Sequence, residues 1–212
     1  MAWSCHDGRL MSDTLKSEIA ATAARLVVEE GLDYGPAKHR ALRQLGLPTR
    51  SALPDNDQVE DAVREYLALF CADTQPAELA ALRELAAQWM ERLAPFRPHL
   101  CGAVWRGTAT RLSAIHLQLY CDDSKSAEIA LLNWGVDYDV DQARNPRGES
   151  VDRLVLSVPC RALQEQVPIA LTILDHDDLR GALKPDPRGR SERGDLAALR
   201  QLIKDQEHAG PT

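Results

Sequence analysis

Leu100-Cys101-Gly102-Ala103-Val104-Trp105-Arg106-Gly107-Thr108-Ala109-Thr110-Arg111-Leu112-Ser113-Ala114-Ile115-His116-Leu117 is the stretch on which the fold turns. Apolar residues around 99–105 predict a buried strand, 106–112 a turn, and 113–121 a strand of alternating character. In that second strand Ile115, Leu117 and Leu119 share one face, while Ala114, His116 and Gln118 share the other. The aliphatic face belongs to the core. The other three side chains therefore look toward the open side of a sheet.

Upstream of this stretch the pattern is helical. Leu15, Ile19, Leu26 and Val27 recur near helical spacing ahead of Gly31. A second helix is predicted from Pro36 through Ala37, Ala41, Leu42 and Leu45, closed by Gly46. Asp57 with Glu60 makes a capping-box pattern before Val59, Val63, Tyr66, Leu67 and Phe70. A fourth helix places Leu79, Leu82, Leu85, Ala86, Trp89, Met90 and Leu93 inward and ends at Pro95 and Pro98. Downstream, Asp123 is positioned to cap a helix bearing Ile129, Leu131 and Leu132 before Gly135. Residues 136–140 predict a short strand, 141–150 a polar loop, and 151–158 and 167–174 strands of Val, Leu and Ile. A charged Pro/Gly loop over 184–194 leads to a last helix capped by Asp195, with Leu196, Leu199, Leu202 and Ile203 inward. The reading divides the chain into a disordered tail (1–11), a helical domain (12–96), an α/β domain (97–183), and a charged loop with a C-terminal helix (184–212). Met11-Ser12-Asp13 is a natural second start.

The central segment resembles the signature of the polymerase-β-type nucleotidyltransferase superfamily. There, a strand ending in Gly-Ser or Gly-Gly leads through an Arg-x-Gly-like turn to a strand reading Ser-Asp-h-Asp-h, where h is apolar. Gly102 matches the first glycine, Arg106-Gly107 the turn, and Ser113 the serine before the acidic strand. The resemblance spans about residues 99–175. It implies an α+β protein: an N-terminal helical region, then a small mixed-sheet nucleotidyltransferase-like α/β domain. The departures fall on the chemistry. The family's two aspartates correspond to Ala114 and His116, and its third acid, on a later strand, to Ala170 within Pro168-Ile169-Ala170-Leu171. Two-metal nucleotidyl transfer needs hard oxygen ligands at those points. Alanine supplies none, and imidazole suits zinc, copper or iron better than magnesium.

The resemblance therefore implies a catalytically degenerate, regulatory member, a pseudoenzyme that binds a nucleotide or phosphate or engages a protein partner through its helical domain. No cofactor is expected. Gly102, Arg106, Gly107, Ser113 and Lys125 are the phosphate-binding candidates: Arg106 lies in the turn, and Lys125 beside the first turn of a helix whose N–H groups favour anions. The bland alternative has Gly107 shaping a turn and both cations solvated. An active transferase that uses magnesium remains open if Asp122, Asp123, Asp137, Asp139, Asp152 or Asp175 rebuilds a site in another sheet register.

Two further candidates need weighing. Asp175-His176-Asp177-Asp178 follows the last long strand and with His116 suggests a metal cluster, but Asp177 or Asp178 as the cap of a short helix is the stronger reading. Residues 19–47 loosely resemble the opening helices of TetR-type regulators, with Lys38, His39, Arg40 and Arg43 making them locally basic. A recognition helix should follow. The chain instead reads Pro54-Asp55-Asn56-Asp57, whose carboxylates repel phosphates.

Composition sets the outer bounds. The chain has 212 residues, 44% hydrophobic and 27% charged, as an ordinary globular protein does. A formal net charge of −7 opposes nucleic-acid binding by bulk attraction. Five cysteines, odd in number and without a CxxC pair, read as reduced thiols. No membrane-spanning run and no apolar leader at Met1 are seen. The expectation is a cytoplasmic protein of bacterial type.

Overall fold

The computed structural model describes residues 7–145, 147–179, 183, 185, 186 and 188–209. The chain divides between Gln75 and Pro76 into two compact units. Among the described residues, no helix is long and apolar enough to cross a membrane.

The first unit contains α1 (Asp7–Glu30), α2 (Tyr34–Gln44) and α3 (Asn56–Phe70). Its core takes Ile19, Ala23, Ala24 and Leu26 from α1, Ala37, Ala41 and Leu42 from α2, and Val59, Val63 and Leu67 from α3. The small side chains of α1 let its neighbours approach closely. Two expectations change here. The first helix begins at Asp7, so residues 7–11 are helical and not a disordered tail, while 1–6 lie outside the described residues. The capping box is made by Asp55 and Gln58, not by Asp57 and Glu60. The Asp55 carboxylate accepts the Gln58 backbone N–H at 2.7 Å, and the Gln58 side-chain Oε1 accepts the Asp55 N–H at 3.0 Å. Asp55 follows Pro54 in an extended conformation that frees its carboxylate to reach N3. Glu60 is buried and holds Arg64 at 2.9 Å, one turn on.

The second unit contains α4 (Gln75–Arg92), β1 (His99–Cys101), α5 (Gly102–Arg106), β2 (Ile115–Cys121), α6 (Ser126–Asn133), β3 (Asp139–Arg144), β4 (Ser150–Cys160), β5 (Glu165–Asp175), β6 (Arg193–Gly194) and α7 (Leu196–Ala209). The sheet order is β3-β4-β5-β2-β1-β6. Among the described residues, only β2 and β5 run parallel, and every other pair is antiparallel. The protein is thus α+β, helices first and a six-stranded mixed sheet after them. One core joins Leu100, Ile115, Leu117, Leu119, Leu154, Leu156, Ile169, Leu171 and Ile173 of the sheet to Leu82 and Met90 of α4, Val104 of α5, Leu131 of α6 and Leu199 of α7. The fourth helix therefore belongs with the sheet, not with the other three helices, and the unit boundary lies some twenty residues before the expected one at 96/97. Its apolar stripe is completed by sheet residues, a match that helical periodicity alone does not reveal.

The strand expected over 99–105 is half helix. Gly102 takes φ +71, a left-handed conformation that costs a side-chain-bearing residue about 1–2 kcal/mol, and turns the chain into α5. Leu100 and Val104 both reach the core, four residues apart, as a strand-to-helix switch allows. Arg83 of α4 fixes the far end of α5. Buried, it donates from Nε to the Val104 carbonyl at 3.1 Å, from Nη2 to the Trp105 carbonyl at 3.3 Å, and from Nη1 to Gln206 Oε1 of α7 at 2.7 Å. Orphan carbonyls at a helix end are thereby satisfied. Downstream, β3 runs on to Arg144 where a polar loop was expected, and β6 occupies the end of the charged loop.

Candidate functional site

Sheet register places four residues in one row on the face opposite the second unit's own helices. Arg193 of β6 is the Cα partner of Cys101, Cys101 of His116, and His116 of Ala170. Ala114 precedes β2 immediately, and a Cβ at Gly102 would meet His116 Cδ2 at 3.4 Å. Ile115, Leu117 and Leu119 are buried on the other face, while His116 and Gln118 stay half-exposed, as the alternation predicts. Three of the residues aligned to the family signature, Gly102, His116 and Ala170, thus meet at one point, with Ala114 one residue before β2. None carries a carboxylate. Among the described residues, no group of three or more His, Cys, Asp or Glu is arranged to hold a metal ion.

Beside this row lies a polar cluster that the sequence reading does not anticipate. Arg193 Nη1 donates to Gln118 Oε1 at 2.7 Å and to the Tyr120 hydroxyl oxygen at 3.3 Å, and the Tyr120 hydroxyl donates to Gln118 Oε1 at 3.0 Å. His99 meets the Tyr120 ring edge-on, centroids 5.2 Å apart. Burial raises the Tyr120 hydroxyl pKa, against the lowering influence of Arg193. Burial also pushes the Cys101 thiol up to about 11, so it remains protonated at neutral pH. For Arg193, burial works against the charge, but Tyr120, Cys101 and Glu192 outweigh it and the guanidinium is held above its ordinary value. Arg193 Nε is buried without a hydrogen-bond acceptor.

The exposed Glu192 carboxylate links this cluster to the turn. It lies 3.6 Å from Arg106 Nη2 and 3.2 Å from Arg193 Nη2. Trp105 holds the segment in place, donating from its indole Nε1 to the Ser191 carbonyl at 2.8 Å while its ring packs on Gly194. Arg106 is therefore brought beside the candidate row, already paired with a carboxylate. Arg193 and Glu192 escaped sequence reading because a two-residue strand has no periodicity and their surroundings read as a charged loop. Gln118 was visible only as a residue on the non-aliphatic side of β2, and Tyr120 was not singled out.

The remaining candidates are placed elsewhere or occupied. Ser113 Oγ accepts the Thr110 N–H at 3.0 Å, and Ser113 N–H returns to the Thr110 carbonyl at 2.8 Å, so this serine closes a turn. Gly107 is the left-handed C-cap of α5, where a Cβ would meet Arg83 Nη2 at 3.5 Å. Lys125 begins α6, beyond the other end of β2, and a seven-residue strand is about 20 Å long. Its own N–H is taken by Asp123 Oδ1 at 3.0 Å, and its ammonium by Glu128 at 2.9 Å and Asp152 at 3.4 Å. The Glu128 contact, then Asp152, raises the Lys125 pKa. Lys125 and Arg106 do not form one phosphate site.

The carboxylates proposed to rebuild a metal site do not converge on Gly102. Asp175 pairs with Cys121 at the far end of β2 and β5, where Asp122 and Asp123 follow. Asp152 is engaged by Lys125 and Gln142, Asp139 lies on the outermost strand, and Asp137 just precedes that strand. Asp175 caps the short 3-10 turn His176–Asp178 by accepting the Asp177 N–H at 2.8 Å, and buried Asp178 pairs with Arg147 at 3.0 Å. Five strand positions separate Asp175 from the His116 partner Ala170, so no cluster with His116 forms. In the first unit, α2 and α3 are joined by residues 45–55, far longer than the three- to four-residue turn of a helix-turn-helix. Lys38 binds the Pro54 carbonyl and Asn56, and Arg40 binds Glu30.

The chain matches no family model, no curated protein and no solved structure.

Proposed function

We propose that this protein is a non-catalytic nucleotide- or phosphate-binding module built on a nucleotidyltransferase-like sheet. What carries the reading is the convergence of Gly102, His116 and Ala170, with Ala114 alongside, at one point on one face of the sheet and without a carboxylate among them. A site of that shape has the glycine turn and strand pair of a transferase but lacks the oxygen ligands that magnesium requires. Two arginines at its margin, Arg106 and Arg193, supply the positive charge and forked donors that a phosphate group needs.

The test is titration calorimetry with ATP, in magnesium and in chelator. Binding of equal strength in both is expected, with no release of pyrophosphate over hours. Magnesium-dependent transfer of a nucleotidyl group to protein, RNA or a small acceptor would overturn the reading.

A further inference from the structure

We infer that the outer edge of β3 is a pairing surface for a second copy of this chain, and that the Asp141 carboxylate holds this edge shut. The inference does not depend on the ligand proposed above. Among the described residues β3 ends the sheet, so one side of its backbone has no neighbouring strand. The hairpin shows which amides face that side. Asn145 donates its N–H to the Glu149 carbonyl at 2.9 Å, and the same register pairs Ala143 with Val151 and Asp141 with Arg153. Bonded and non-bonded pairs alternate along an antiparallel ladder. The odd-numbered residues of β3 therefore bond β4, while Val140, Gln142 and Arg144 turn their N–H and carbonyl groups outward. Gln142 is exposed, yet its outward N–H is already taken, because Asp141 Oδ1 accepts it at 2.7 Å. Arg153 holds the other oxygen of that carboxylate.

The strand is complementary to itself. A two-fold axis perpendicular to a sheet sets residues of the same face opposite one another. With Gln142 opposite Gln142 of the second copy, each Gln142 N–H donates to the other's carbonyl. Val140 then stands opposite Arg144, and Asp141 opposite Ala143. The apolar stem of Arg144 covers Val140, which is 58% exposed in the single chain. Other centres fit less well. Centring on Asp141 opposes two Asp141 carboxylates, and centring on Val140 opposes Asp139 to Asp141, contacts that destabilise a strand pair. The antiparallel direction also runs the acidic Asp137, Asp139 and Asp141 of one copy along the basic Arg144 and Arg147 of the other. Pairing requires only that the Asp141 carboxylate release the Gln142 N–H, whose place is taken by the second copy's carbonyl. An edge pair this short buries less than the roughly 800 Å² per partner of a standard interface, so the opened dimer is weak and forms at high protein concentration.

The experiment follows the full chain by sedimentation velocity over a range of concentrations and by amide exchange at Gln142. It compares wild type, Asp141→Ala, Asp141→Asn, and Asp141→Ala combined with Gln142→Pro. In wild type the Gln142 amide should be protected and self-association marginal. Asp141→Ala should expose that amide at low concentration and tighten dimerisation about tenfold or more, since the competing acceptor is gone. Asp141→Asn keeps a side-chain oxygen for the amide and should behave as wild type. Gln142→Pro removes an N–H that β4 does not use, so adding it to Asp141→Ala should return association to the wild-type level. Should Asp141→Ala unfold, Asp141→Val removes the same acceptor with a residue suited to a strand. Four results would each overturn the inference: Asp141→Ala associating no more tightly than wild type, association that survives Gln142→Pro, assemblies that grow beyond a dimer, or a Gln142 amide that exchanges freely in wild type.

Discussion

Gly194 lies against the indole of Trp105 so closely that a Cβ at position 194 would fall 2.2 Å from Trp105 Cη2. The neighbouring ring atoms are at 2.4 and 2.9 Å, and the ring is anchored by its hydrogen bond to Ser191. Gly194→Ala should destabilise the protein by about 1–3 kcal/mol through overpacking, read as a shift in urea midpoint at constant slope. Adding Trp105→Leu should restore part of the loss, since the smaller side chain vacates the space. An unchanged midpoint in the single variant would mean that the indole moves aside at no cost.

Arg83 supports three elements at once, and its removal should be felt in proportion. Arg83→Met keeps an apolar stem but leaves the Val104 and Trp105 carbonyls and the Gln206 side chain without their donor. A loss of about 2–4 kcal/mol is expected. Burial lowers the guanidinium pKa from its ordinary value to about 10. The unfolded chain binds the extra proton above that value, so the cost of burying the charge is constant below about pH 10 and is relieved only above it. The difference in stability between wild type and Arg83→Met should therefore be flat across neutral pH. A marked slope there would show that another titrating group senses Arg83.

Asp141 on β3 is the Cα partner of Arg153 on β4, and their side chains are paired. The hydrogen bond from Arg153, helped by the Gln142 N–H, holds the Asp141 carboxyl below its ordinary 3.8. A depressed carboxylate adds stability above its unfolded value that is lost as pH falls through the folded one, so this pair loosens only below about pH 4. Carboxyl NMR titration of Arg153→Gln should return Asp141 toward 3.8 and speed amide exchange in β3. A titration curve that does not move would assign the shift to the backbone alone.

Placing acids in the row offers a direct test of the proposed reading. His116→Asp with Ala170→Asp places two carboxylates on adjacent strands at partner positions. They should repel and lower the melting temperature until magnesium neutralises them, whereas magnesium should leave wild type unmoved. A folded double variant with no magnesium-dependent rise would leave the alignment of these positions without chemical consequence.

The sequence was most legible where periodicity met a single partner. The alternation in β2 separated Ile115, Leu117 and Leu119 from His116 and Gln118 correctly, and the long strands β4 and β5 were evident from their Val, Leu and Ile content. The capping role of Asp195 is also as read, its carboxylate accepting the Ala198 N–H at 2.8 Å. Legibility failed where local pattern is ambiguous. Residues 99–105 look like one strand because Leu100 and Val104 are both core residues, and only the backbone of Gly102 distinguishes strand from strand-then-helix. Lys125 looked available because its partners, Glu128 and Asp152, include one from a strand 27 positions away. Arg193 joins the site through register, a property that belongs to the whole sheet and to no window of sequence.

That register also sets the order in which the molecule can assemble. Within the first unit, contacts join helices that follow one another closely, so its core can form from local encounters. The central parallel pair of the second unit is different: Ile115 must find Ile169, with α6, β3 and β4 held in the intervening loop. The entropy of closing that loop precedes any reward from the pairing. Refolding should accordingly show a fast phase from α1, α2 and α3 and a slower one from the sheet. The row that brings Arg193, Cys101, His116 and Ala170 together, however its chemistry is finally described, is among the last features of the chain to exist.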